Sequence, residues 1–168
     1  MNEVLPDIIA PGLKVLFCGI NPGMLAAATG HHFAGRVNRF WKTLHLAGFT
    51  PTLFAPEDDR HLLEFGCGIT SVVRRPTAGA DDLAAEEFAS AVAPFDALLA
   101  RYTPRYVAFL GKAGYAALAG QRDVTWGRQA TPMQGCVAWV LPNPSGRNRA
   151  FSLDALVTAY AALHEAAC

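Results

Sequence analysis

Two loops rich in glycine, proline and asparagine constrain the fold of this chain more than any other feature. The first is Gly-Ile-Asn-Pro-Gly at residues 19–23, and the second is Asn-Pro-Ser-Gly-Arg-Asn-Arg at residues 143–149. Each directly follows a short apolar run, residues 13–18 and 136–141, of the kind that forms a buried strand. Loops that leave the carboxyl ends of parallel strands lie at one edge of a sheet. We therefore expect the two loops to converge and to build a site there.

Strand-like and helix-like segments alternate along the chain. Pro94 is expected to kink one helix or to begin a new one, Ser152 is expected to cap the last helix, and the small residues 26–30 are interpreted as a flexible stretch. The pattern predicts a single α/β domain over residues 1–168, with three layers and a central, mostly parallel four-stranded sheet flanked by helices. The predicted strands are residues 13–18, 68–73, 106–110 and 136–141, and the predicted helices are residues 37–47, 56–65, 81–102, 112–119 and 152–167.

Composition predicts a packed domain, and the lack of membrane and targeting patterns indicates its compartment. Hydrophobic residues make up 52% of the chain, which is enough for a sizeable core, and no apolar run approaches the length of a membrane span. Residues 1–11 lack the pattern of a signal peptide, so we expect a cytoplasmic protein. The four cysteines are far apart in sequence and are interpreted as free thiols, with no metal or cofactor expected.

The charges are balanced in number but not in position. The formal net charge is zero, yet residues 57–96 carry nine acidic side chains against three arginines. Residues 101–149 carry seven basic side chains against Asp123 alone, and Arg36, Arg39 and Lys42 form another basic cluster. This distribution favours a basic face opposite an acidic back, with a modest footprint for a polyanion such as DNA.

Seven short segments, taken in order, indicate a family. They are residues 17–23, 38–42, 67–70, 75–77, 110–112, 126–127 and 141–149. In these segments the chain resembles the mismatch-specific uracil-DNA glycosylases, bacterial relatives of thymine-DNA glycosylase in the uracil-DNA glycosylase superfamily. The resemblance implies a repair enzyme that acts as a monomer on double-stranded DNA with a G·U or G·T mismatch, with no membrane, metal or cofactor.

The first loop is expected to hold the chemistry. Asn21 matches the family residue that orients the attacking water, and its neutral amide cannot serve as an efficient general base. The reaction would therefore depend on positioning and on stabilising the departing base. Phe33 matches the aromatic residue that stacks on the extruded base. The other residues expected in the base pocket are Gly19, Ile20, Pro22, Gly23, Ala26 and Ser71.

Two pocket residues depart from the family pattern. The bacterial family often has a serine at the position of Ala26, where it crowds the C5 position of the pyrimidine. The smaller alanine predicts better tolerance of a 5-substituent such as the thymine methyl group. Some relatives carry a lysine at the position of Ser71, so a cationic contact near the base is missing here.

The second loop is expected to fill the space that a flipped base leaves in the duplex. Arg147 occupies the intercalating position, where its guanidinium can both stack and donate hydrogen bonds. The loop residues Gly146, Arg147 and Arg149 are expected to contact the guanine whose partner base has been flipped out. Lys112 and Arg39 are candidate phosphate contacts. Asn143 and Ser145 complete the set of predicted wedge-loop residues.

Two alternative functions remain at this point. The chain could bind mismatched or abasic DNA without turnover, or it could be a small nucleotide-binding module, although it lacks a phosphate-loop signature. Ser145 does not lie in the nucleophile motif of an acyl hydrolase. It also stays open whether a carboxylate of the third predicted helix assists Asn21; the candidates are Asp81, Asp82, Glu86, Glu87 and Asp96.

Overall fold

A computed structural model describes residues 5–168. Residues 1–4, part of the segment judged to lack a signal peptide, lie outside the described residues. The α/β fold with a mostly parallel sheet between helices is confirmed. The strands are β1 (Val15–Gly19), β2 (Cys67–Ser71), β3 (Tyr106–Leu110), β4 (Gly127–Arg128) and β5 (Val137–Leu141). The α-helices are α1 (Met24–Thr29), α2 (Phe40–Ala47), α3 (Ala85–Tyr102), α4 (Lys112–Ala119) and α5 (Leu153–Ala167), with 3₁₀ helices at Pro56–Phe65 and Ala80–Asp82.

The sheet has five strands rather than the four predicted, in the order β2-β1-β3-β5-β4. Strands β1, β2, β3 and β5 are parallel, whereas β4 runs antiparallel to β5. Strand β4 is only two residues long, with Gly127 at φ 87°. Two residues are too few to show the alternating pattern that predicts a strand. This edge strand is recognised only by its pairing with β5.

Alternate residues of the strands build two separate cores. In β1, Phe17 faces α2 and α5, and its ring meets Phe40 and Phe49 edge-on at centroid distances of 5.5 and 5.3 Å. Its neighbours Leu16 and Cys18 face α3 and α4. Because successive side chains of a strand point to opposite faces, each strand supplies both cores, and the helices form the two outer layers.

Two helix predictions and the interpretation of residues 26–30 need correction. The predicted helix 37–47 begins at Phe40 because the Asn38 carboxamide accepts the Phe40 N–H at 2.9 Å and ends the preceding loop. The predicted helix 81–102 is divided into the 3₁₀ turn Ala80–Asp82 and α3, and α3 continues through Pro94 without a new helix beginning there. Residues 26–30, interpreted as a flexible stretch, lie mostly in α1, which ends where Gly30 turns left-handed at φ 75°.

Candidate active site

The ends of β1, β2, β3 and β5 border an open cleft of about 470 Å³. The two Gly/Pro/Asn loops meet there, as expected, because Gly111 after β3 lies between Asn143 and Ile20. A Cβ on Gly111 would lie 3.6 Å from Asn143 Cβ and 3.8 Å from Ile20 Cδ1. Twelve predicted site residues line this cleft: Gly19, Ile20, Asn21, Pro22, Gly23, Ala26, Phe33, Ser71, Asn143, Ser145, Gly146 and Arg147.

The orientation of the Asn21 side chain is determined by its two acceptors. Asn21 Nδ2 donates to the carbonyl oxygen of Arg75 and to Thr77 Oγ1, each at 2.8 Å. A carbonyl oxygen can only accept, so the nitrogen of the amide must face this side. Both N–H groups of Asn21 are therefore used, and within residues 5–168 no protein group donates a hydrogen bond to Oδ1.

The acceptors of Asn21 are themselves held in place. Thr77 Oγ1 donates its single hydrogen to the carbonyl oxygen of Gly79 at 2.7 Å, so towards Asn21 it can only accept. The Arg75 guanidinium makes two bonds to Glu87, at 2.6 and 3.0 Å. Hydrogen bonds from Arg75 and from the Ala84 N–H hold the pKa of Glu87 at about 2. This network makes Asn21 the end of a pre-oriented chain of hydrogen bonds.

A second anchor fixes the aromatic residue of the pocket. His32 is bonded at three atoms: its N–H donates to Asp59 Oδ2 at 3.0 Å, its carbonyl accepts from Trp41 Nε1 at 3.0 Å, and its Nε2 donates to the Pro6 carbonyl at 2.7 Å. Burial lowers the pKa of His32, which favours the neutral ring. The residue that follows, Phe33, is thereby held in place.

Phe33 itself has a strained backbone and a supported ring. Its φ of 55° lies in the left-handed region that side chains other than glycine rarely adopt. The ring stacks on Phe40, with centroids 4.0 Å apart and planes 29° apart. A Cβ on Gly19 would lie 3.8 Å from the Phe33 ring and 4.0 Å from Ser71 Oγ. Phe33, Gly19 and Ser71 therefore meet on one side of the cleft.

The second loop is held by its own polar groups. Asn143 Oδ1 accepts the N–H of Ser145 at 2.9 Å, and Ser145 Oγ accepts the N–H of Arg147 at 3.2 Å. The Asn148 carboxamide donates to the Asn143 carbonyl at 2.9 Å. These bonds turn the chain sharply and leave the side chain of Arg147 at the outside of the turn.

Arg39 differs from the role that the sequence predicted. Its guanidinium does not extend into solvent as a phosphate contact but turns towards the second loop. There Nε donates to the carbonyl of Pro144 at 3.3 Å, Nη1 to that of Phe151 at 2.7 Å, and Nη2 to those of Ser145 at 2.8 Å and Asn148 at 2.9 Å. Four of its five N–H donors are therefore engaged inside the protein.

The other predicted cations occupy three different environments. Arg147 is exposed and reaches across the cleft, where its guanidinium lies against Gly79. Arg149 is exposed but lies outside the cleft lining. Lys112 is also outside it, with Nζ 4.5 Å from the centroid of the Trp126 ring. Within residues 5–168, none of the three forms an ion pair with a carboxylate.

Of the five candidate carboxylates, only Asp81 lines the cleft. Asp82 accepts the N–H of Gly79 at 3.3 Å, and Glu87 is paired with Arg75. Glu86 and Asp96 are not among the lining residues. Among the residues that the structure describes, no group of three His, Cys, Asp or Glu side chains could hold a metal ion. None of the described helices is long and apolar enough to cross a membrane.

Sequence reasoning missed Thr77, Arg75 and Val37 as parts of the site. Thr77 and Arg75 fall within a family-like segment, but they bond to Asn21 across more than fifty positions of the chain. Val37 was placed in a helix, whereas it is 73% exposed and lines the cleft. Only the resemblance of residues 75–77 to the family could have pointed to the first two.

Comparisons with known proteins identify the family and support the fold. A family model described as the uracil DNA glycosylase superfamily matches residues 6–164. Among solved structures, the chain is similar to a Methanosarcina acetivorans protein whose solution NMR structure is described as that of a candidate uracil DNA glycosylase. The two chains share 21% identity over 98% of this chain and 97% of the other, with a TM-score of 0.67. This likeness supports a common fold.

Proposed function

Because the chain belongs to the uracil DNA glycosylase superfamily, we propose that it is a monofunctional repair glycosylase acting on uracil mispaired with guanine. It flips the uracil out of duplex DNA and hydrolyses the N-glycosidic bond, which leaves an abasic site. Thymine and other damaged pyrimidines opposite guanine are candidate substrates, because the small, apolar side chain of Ala26 leaves space for a 5-substituent at that point of the pocket.

The observation that carries the proposal is the oriented amide of Asn21. With both N–H groups bonded to Arg75 and Thr77, Oδ1 is the free acceptor for a water hydrogen. A water held there is placed to attack the sugar carbon as the base departs. Since a neutral amide does not remove the proton in advance, the enzyme works by positioning and is slow.

The pocket holds the flipped base, and the second loop contacts the duplex from which the base has left. Phe33, supported from behind by Phe40, stacks on the extruded pyrimidine. Arg147 enters the base stack from the second loop, and together with Gly146 and Arg149 it contacts the guanine left behind. Preference for guanine as the opposite base follows from these contacts.

A second candidate function is binding of mismatched or abasic DNA without turnover. It would keep the roles of Phe33 and Arg147 and need no attacking water. The specific orientation of Asn21 Oδ1 favours turnover, because pure binding gives no reason to leave an oriented acceptor free beside the stacking residue.

The deciding experiment is single-turnover cleavage of a labelled duplex with one G·U mismatch. It runs beside A·U, G·T and single-stranded uracil, with Asn21→Ala as the control. Alkali-dependent strand breaks at G·U that the variant loses would establish a monofunctional glycosylase. Absence of breaks in every substrate, with mismatch binding intact, would favour the binding function instead.

A further inference from the structure

The second loop does not stand alone at the mouth of the cleft. It rests on the segment 35–39, whose backbone and side chains touch it at several points. We infer that the two segments form one composite DNA-inserting surface, in which Arg39 is the positioning residue and Val37 is a second side chain that enters the base stack beside Arg147. This inference rests on the proposed function and names the surface by which that function engages a duplex.

The guanidinium of Arg39 is the link between the segments. It bonds to the carbonyls of Pro144, Ser145, Asn148 and Phe151, and the Arg39 backbone N–H donates to Pro144 as well, at 3.0 Å. These carbonyls come from both ends of the loop, so one planar group holds the whole turn. A lysine has a single ammonium and cannot reach acceptors spread around a planar fork.

Close packing completes the link. A Cβ on Gly146 would lie 2.7 Å from the carbonyl oxygen of Val37 and 2.8 Å from its Cβ, nearer than side chains approach. Only glycine at position 146 permits this contact. The loop and the segment 35–39 therefore touch at the tip as well as at the base.

This packing places Val37 beside the loop that is proposed to enter the base stack. Its side chain is 73% exposed, lines the cleft, and lies next to the residue that precedes Arg147. Proteins that unstack DNA insert apolar side chains between base steps. The surroundings suit DNA, since Arg36, Arg147 and Arg149 are exposed and none of them pairs with a carboxylate within residues 5–168. The occupant of this surface is the base stack around a flipped nucleotide.

The role of Arg39 is tested first on the free protein. Hydrogen–deuterium exchange of amides 145–151 is compared in the wild type, Arg39→Lys, Arg39→Gln and the exposed control Arg60→Lys. We expect at least tenfold faster exchange in this loop for both Arg39 variants, with β1 and β3 unchanged. Unaltered exchange in the loop would overturn the positioning role. Should the Arg39 variants fail to fold, Gly146→Ala disturbs the other contact between the two segments, the packing of the loop on Val37, and is expected to speed exchange in the same amides.

The role of the composite surface is tested by DNA binding that needs no catalysis. The probes are a duplex with a tetrahydrofuran abasic analogue opposite guanine and the same analogue in a single strand. Val37→Ser and Arg39→Lys are expected to weaken duplex binding about fivefold or more and to leave single-strand binding within twofold. Leu53→Ser changes another exposed apolar residue, one outside the cleft lining; it is the matched control and should bind like the wild type.

The outcomes separate this inference from the proposed function. Equal losses on duplex and single strand, or a Val37→Ser variant that binds like the wild type, would refute the composite surface even in an active glycosylase. If the wild type cleaves no uracil substrate but the variants lose binding to the duplex alone, the proposed function is refuted and the composite surface is supported. Duplex-specific losses in both binding and single-turnover cleavage would support both.

Discussion

At the scale of single residues, the site depends on which atom of an amide faces the cleft. Asn21 would be chemically ambiguous alone, because its carboxamide carries a donor and an acceptor of similar size. The carbonyl of Arg75 and the hydroxyl of Thr77 remove that ambiguity. The proposed catalytic function of Asn21 is thus a property of three residues.

Thr77 provides a test of this network. In Thr77→Val the Asn21 amide loses one acceptor, and the net value of such a hydrogen bond is about 1 kcal/mol. We expect the single-turnover rate on G·U to fall about fivefold, by the relation of 1.36 kcal/mol to a factor of ten, while the Kd for DNA is unchanged. Thr77→Ser keeps the hydroxyl and should restore the rate. Equal rates for the two variants would show that the hydroxyl does not orient Asn21.

Ala26 provides a test of substrate range. It is buried and lines the cleft, so an added hydroxyl at this position would enter the base pocket. We expect Ala26→Ser to reduce cleavage of G·T at least tenfold and to spare G·U, measured as single-turnover rates on the two duplexes. Parallel losses on both substrates would mean that residue 26 does not sense the 5-substituent.

Asp81 provides a test of the water-activating group. It is exposed and is the one acidic side chain among the described cleft-lining residues. Because positioning by Asn21 needs no carboxylate, we expect Asp81→Asn to change the G·U cleavage rate by less than about threefold. The pH profile of the rate should keep its shape. A hundredfold loss together with a lost acidic limb would identify Asp81 as a general base.

At the scale of elements, the start of α3 connects the stability of the fold to the site. The carboxylate of Glu87 accepts the N–H of Ala84 at 2.8 Å and also binds the guanidinium of Arg75, whose own carbonyl orients Asn21. A helix start is therefore used to hold the loop that carries Asn21. The separation of α3 from the 3₁₀ turn Ala80–Asp82 makes room for this arrangement.

The pKa of Glu87 predicts a dependence of stability on pH. The pairing lowers this pKa from 4.5 to about 2 in the folded protein. A lowered pKa contributes stability that is fully present above the unfolded value and is lost as pH falls through the folded value. We expect Glu87→Gln to lower the free energy of unfolding at pH 6, with a difference that shrinks between about pH 4.5 and 2.

Urea unfolding at a series of pH values measures this difference. Glu86→Gln is the matched control, because Glu86 is an exposed acid one residue away without a salt bridge in the described structure. A difference between wild type and Glu87→Gln that stays constant from pH 6 to 2 would contradict the assigned pairing.

At the scale of the whole molecule, a net charge of zero hides an uneven distribution. Two of the three arginines in the acidic segment 57–96, Arg74 and Arg75, are paired with carboxylates. In contrast, Arg36, Arg147 and Arg149 at and beside the cleft have no such partner within residues 5–168. Three exposed arginines without a carboxylate partner in the described structure therefore lie at and beside the cleft, where a DNA strand would run in the proposed function.

This distribution predicts a modest salt dependence of DNA binding. Three phosphate contacts correspond to a slope of about −2.7 in log K against log salt, or roughly a 40-fold loss of affinity between 50 and 200 mM salt. Fluorescence anisotropy with a G·U duplex and Asn21→Ala protein measures it. Replacing Arg36, which is exposed and has no proposed base contact, by Ala should reduce the slope by about one. A slope near zero would argue against a DNA-binding role for these cations.

The sequence alone predicted the layered α/β fold and the meeting of its two polar loops. Strand β3 and helix α4 have the bounds that their local patterns indicated, and Ser152 caps α5 by accepting the Ala155 N–H. These features depend on apolar periodicity, turn residues and caps, which act between neighbours in the chain. The loops converge because parallel strands share a carboxyl edge.

The tertiary structure decided which polar groups meet across that edge. The bonds from Asn21 to Thr77 and from Arg39 to the second loop join segments that are 56 and more than 100 residues apart. The two-residue strand β4 likewise exists through its partner β5. Arg39 looked like a surface cation in the sequence and is a loop brace in the structure. Hydrogen-bond partners depend on which groups lie close together after folding. Local patterns along the chain do not indicate which distant groups will meet.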